Sequence, residues 1–72
     1  MRHFHYVLTL EIPGVGLVTA NDVITVDPGT TRSTVYDFVV EQAVTRMMAR
    51  APSGRTYAPP ITHFWSLNAE EL

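Results

Sequence analysis

The sequence predicts an α+β fold: a small two-layer ββαβ domain, with a three-stranded mixed sheet in the order 2-1-3 and one helix packed on one face. Three observations predict it. Residues 2–12 alternate with a period of two, as a half-buried strand does. Residues 32–50 place apolar side chains at helical spacing. Residues 61–67 are rich in β-branched and aromatic side chains and follow a proline pair.

The first strand covers 2–12. Phe4, Tyr6, Leu8, Leu10 and Ile12 share one parity and form its core face. His3, His5, Val7, Thr9 and Glu11 form the other. Pro13-Gly14-Val15-Gly16 then reads as a hairpin turn, because proline ends the ladder and the glycines relax the backbone. The second strand covers 17–27, with Val18, Ala20, Ile24 and Val26 on one face. Asn21-Asp22 interrupts it. Strict alternation would turn Asp22 inward at a cost, so a β-bulge is expected near Ala20–Asp22.

Asp27-Pro28-Gly29 is a turn signal. Thr30 or Thr31 can cap the helix that follows, and Thr34 with Asp37 three residues on is an alternative start. Tyr36, Val39, Val40, Ala43, Val44 and Met47 make the buried stripe of the helix, which Val35 and Phe38 widen. Asp37, Glu41, Gln42 and Thr45 oppose it. Arg46 and Arg50 lie toward the negative end of the helix dipole. Pro52 stops the helix, and residues 51–60 form a loop. The last strand covers 61–67, with Ile61, His63, Trp65 and Leu67 on one face and Thr62, Phe64 and Ser66 on the other. Trp65 is assigned to the core, with an interface role as the alternative. A short tail, 68–72, ends the chain. The helical crossover is read as returning the last strand parallel to the first.

Seventy-two residues make one domain, 1–72, and one that buries a limited share of its surface. Hydrophobic residues are 46% and charged residues 17%, which is a folding composition. No cysteine is present, so no disulfide or thiolate chemistry arises. No apolar stretch is long enough for a membrane span, and MRHFHY does not open a signal peptide. A cytoplasmic protein with no membrane association is therefore expected. All five basic residues are arginine, which fits a GC-rich bacterial or phage genome. Without lysine there is no side chain for a Schiff base or a phosphate-binding P-loop.

Catalytic signals are absent: no nucleophile elbow occurs, and Ser66 and His63 fall on opposite strand faces. No catalytic residue, cofactor or metal is expected. His3 and His5 share a face, and His63 joins them if the last strand pairs with the first, but a metal site wants three or four matched ligands. The net charge of −2 disfavours nucleic acid. These features point to a non-enzymatic protein-interaction module, a homodimer or a subunit docking on a larger protein. Its expected surface is the helix-free sheet face, with His3, His5, Val7 and Thr9, together with an exposed edge strand. The alternative is a small nucleic-acid-binding or regulatory protein that contacts anions through Arg46, Arg50 and Arg55.

Overall fold

In the computed structural model, which describes residues 1–70, the chain runs β1 (Arg2–Ile12), β2 (Gly16–Val26), α1 (Arg32–Met48) and β3 (Ile61–Ala69). The sheet order is β2-β1-β3, and the helix packs on one face of it. Two glycine turns shape the path. Val15 N donates to Ile12 O at 2.9 Å, with Pro13 and Gly14 between them and Gly14 at φ +87°. This is the type II arrangement, in which the third position needs a positive φ. Asp27-Pro28-Gly29-Thr30 repeats it, with Thr30 N donating to Asp27 O at 3.2 Å and Gly29 at φ +91°.

Thr31 is the residue that caps α1: its hydroxyl accepts from Thr34 N at 3.2 Å. Val35, Val39 and Ala43 are the buried positions of the helix. They meet Leu8, Leu10 and Leu67 in one core cluster, flanked by Tyr6, Val18, Tyr36, Val44, Met47 and Trp65. Leu8 and Leu10 have no exposed surface at all. The helix ends at Met48, short of residue 50, and Arg50 lies in the turn that follows.

Four sequence expectations need correction. First, β3 runs antiparallel to β1, so the sheet is antiparallel throughout rather than mixed. A helical crossover returns the chain parallel to the strand that precedes it. That strand is β2, and β1 lies between β2 and β3. Second, β2 has no bulge: it pairs residue for residue with β1 from Arg2↔Val26 to Ile12↔Gly16. Asp22 stays on the helix side, but at a sheet edge that the helix leaves open, so its carboxylate remains in water and accepts from Val23 N at 2.8 Å. Third, the irregularity is in β3, where Thr9 pairs with Phe64 and Leu10 with Thr62, leaving His63 as the extra residue. Fourth, Phe38 does not widen the buried face; it is 51% exposed. The expected tail is also shortened from its start, since Asn68 and Ala69 belong to β3, while residues 71–72 lie outside the described residues.

The bulge reverses the predicted faces of Ile61 and Thr62, Ile61 lying opposite Glu11 on the outer face and Thr62 opposite Leu10, while Trp65 keeps the face it shares with Leu67. It lies opposite Leu8 on the helix side, between Tyr6 at 6.3 Å and Tyr36 at 5.1 Å (ring centroids), the second pair edge to face. Arg32 donates to Leu67 O at 3.0 Å and Tyr36 hydrogen-bonds Thr62, so the start of α1 is tied to β3. The molecule is elongated: its radius of gyration is 13.6 Å, against about 11 Å for a compact chain of this length. An 11-residue strand reaches about 36 Å and a 17-residue helix only about 26 Å, so one helix cannot roof the hairpin.

Candidate interaction surface

Three features of the sheet stand open to solvent. The first is the face away from α1. Alternation along β1 puts His3, His5, Val7, Thr9 and Glu11 there, opposite to Leu8 and Leu10. Across the hairpin, His3 Nδ1 lies 2.8 Å from Thr25 Oγ1, and Thr9 and Thr19 hydroxyls are 3.0 Å apart. These are directly opposed pairs that fix the register on this face. Leu17, Val23, Ile61 and Phe64 add half-exposed apolar side chains to it.

The histidines are not gathered. Antiparallel pairing sends the start of β3 to the far end of β1, so His63 meets Glu11, with Nε2 2.8 Å from Oε1, while His3 bonds Thr25 at the other end. Among the described residues, no three His, Asp or Glu side chains come together as a metal site would require.

The second feature is the outer edge of β2. Residues 16–26 pair with β1 on one side only. This edge is regular over 11 residues, and it holds no proline and a single charge, Asp22. The other edge differs. β3 is interrupted by the His63 bulge and enters directly from Pro59-Pro60, devices that blunt an edge against strand pairing.

The third feature is a groove of about 370 Å³ on the helix side, between α1 and β2. Val18 and Ala20 line it from the sheet, Ala43 and Met47 from the helix, and Arg46 and Arg50 are the charged residues lining it. No acid lines it. A smaller depression beside it is bounded by Val23, Ile24, Phe38 and Arg46.

Comparison with family models, with curated proteins and with solved structures returns no match to this chain.

The sequence-predicted residues therefore divide. His3, His5, Val7 and Thr9 share one open face. Arg46 and Arg50 share the groove, whereas Arg55 lies in the exposed loop and does not line it. Asp22 and Leu17 were not among the predicted surface residues. Their signal was present as strand parity, but parity assigns a face only once the edge strand and the bulge are located.

Proposed function

We propose that this αβ domain is a non-enzymatic protein-interaction module that binds through its sheet, by its open β2 edge and the helix-free face beside it. The observation that carries this reading is the contrast between the two edges. β3 is bulged and proline-flanked, while β2 offers 11 regular residues of unpaired backbone next to Leu17 and Val23. Strand addition uses such an edge: main-chain hydrogen bonds supply affinity and alternate side chains supply selectivity. The thin core favours association too, since a partner that binds only the folded state adds to its stability. An arginine-based nucleic-acid surface is less supported, because Arg55 stands apart from Arg46 and Arg50.

Site-specific photo-cross-linking tests the reading. Probes at Thr19 and Phe64 are expected to give discrete protein adducts in cells, and a probe at Ser53 in the loop none. Adducts that form only from Ser53, or that vanish with nuclease treatment, would overturn it.

A further inference from the structure

We infer that the partner of the β2 edge is a second copy of this chain, paired antiparallel about a twofold axis through Asn21. This rests on the reading of β2 as the binding edge and adds the identity, register and charge contact of its occupant. The argument begins with symmetry. Two antiparallel copies of one strand, side by side in a sheet, are related by an axis normal to the sheet, so both helices fall on the same face. Opposed residues then have positions whose sum is constant and even. Centring on Asn21 pairs all of Gly16–Val26, the whole of β2. Centring on Asp22 would instead set the two carboxylates directly opposite each other, which is unfavourable. Centring on Ala20 leaves the end of each strand unpaired.

The Asn21 register also matches side chains. On the helix side, Val18 of one copy lies opposite Ile24 of the other, and Ala20 lies opposite Asp22. On the outer face, Thr19 lies opposite Val23 and the two Asn21 amides meet on the axis. Asp22 is the decisive residue. In one copy it is an acid in mid-strand on the helix side, and among the described residues its one hydrogen-bond partner is its neighbour's backbone. In the dimer each Asp22 arrives beside Ala20 of the other copy, and Ala20 lines the groove that Arg46 and Arg50 also line without any acid. The groove thus lacks the charge that a second copy of the same strand brings. The contact occurs twice by symmetry, and both charges are drawn partly out of water, where they interact more strongly than on an open surface. The result is a six-stranded antiparallel sheet, with two helices flanking the seam and both β2 edges removed from solvent.

The experiment uses the whole chain. Light scattering across concentration should show a mass twice 8.0 kDa. Asp22→Arg and Arg46→Glu should each weaken the dimer by roughly tenfold or more, and the double variant should recover most of that loss. Asn21→Cys tests the register, because the chain has no other cysteine. Mild oxidation should couple it into a covalent dimer. Thr25→Cys, about 26 Å from its symmetry mate in this register, should not couple. Circular dichroism of each variant separates loss of pairing from loss of fold, and Asn21 and Thr25 are both exposed in the single chain. A chain that stays monomeric at millimolar concentration overturns the inference, as does a dimer in which Thr25→Cys couples as readily as Asn21→Cys. If Thr19 cross-links only to other proteins, the binding edge stands and the second copy does not.

Discussion

His63 Nε2 lies 2.8 Å from Glu11 Oε1 on the outer face of the sheet, and His63 is the single residue of β3 without a place in the ladder. The pair is exposed on both sides, so it is worth little in itself. Its position matters because the extra residue keeps Thr62 opposite Leu10 while Trp65 stays opposite Leu8. Deleting His63 should therefore be tolerated, since the remaining residues already pair in regular register. Deleting Ser66 should not be tolerated. It would turn Trp65 to the outer face and withdraw it from Tyr6 and Tyr36, at a cost of about 3 kcal/mol or more. Tryptophan fluorescence during denaturation checks both: a cooperative transition for the first deletion, and a lost or strongly lowered one for the second. Equal loss in the two would show that β3 needs the extra residue to keep Trp65 in the core.

The core is one layer thick, and that makes its central residues decisive. Leu8 is fully buried against the helix and lies on the middle strand. Truncating a buried leucine to alanine costs about 2–5 kcal/mol. A chain of this length has about 4–11 kcal/mol in total. Leu8→Ala should thus remove a large part of the stability, whereas Ile61→Thr, at a position that is 47% exposed and keeps its branched β-carbon, should change it by less than about 0.5 kcal/mol. Urea titration of both variants measures the contrast.

Gly14 holds the type II turn of the hairpin at φ +87°, with the Tyr57 ring close enough that an added methyl would touch it at 3.5 Å. That distance is ordinary contact, so space does not forbid alanine; the backbone does. Gly14→Ala should cost about 1–2 kcal/mol through the left-handed conformation alone. Replacing Tyr57 with alanine in the same background should not recover that loss. Recovery would locate the cost in the ring contact instead.

Most of the local structure was legible because each element carries its own signal. Pro13-Gly14 and Pro28-Gly29 mark turns by chemistry, the even residues of β1 mark a core face, and Val35, Val39 and Ala43 mark a helix stripe. The long-range features were not legible in the same way. The direction of β3 was the exception: the order 2-1-3 implies it, because the helical crossover makes β3 parallel to β2, the strand it leaves, and so antiparallel to the β1 between them. The bulge was assigned to Asp22 because an acid on an apolar parity looks like an error in phase. At an edge beyond the helix it is no error, since water reaches it. At His63 the alternation did carry a mark, a polar residue in phase with Ile61, Trp65 and Leu67, but a histidine is tolerable at a sheet edge and so did not announce an extra residue. Phe38 follows the same logic: helical spacing puts it near the apolar stripe, but the sheet beneath that side is the open β2 edge.

The start of α1 is held by Thr31, whose hydroxyl accepts from Thr34 N and lies 2.9 Å from the Thr34 hydroxyl. The first turn contains no acidic residue, so the positive end of the helix dipole faces only side-chain hydroxyls and the Arg32 guanidinium. Two consequences follow for single substitutions. Thr31→Ala leaves Thr34 N without its acceptor and should lower stability by about 1 kcal/mol. Thr34→Glu keeps the backbone donor and adds a carboxylate that can reach back to the capping residue's own amide, completing a reciprocal cap. That variant should gain several tenths of a kcal/mol, by roughly the amount an acid in the first turn contributes. The gain should shrink as salt is raised, because the dipole term is screened and the hydrogen bond to the amide is much less so. Thermal melts of both variants at low and high salt read the two contributions separately. A Thr34→Glu gain that does not change with salt would assign the whole effect to the reciprocal hydrogen bond.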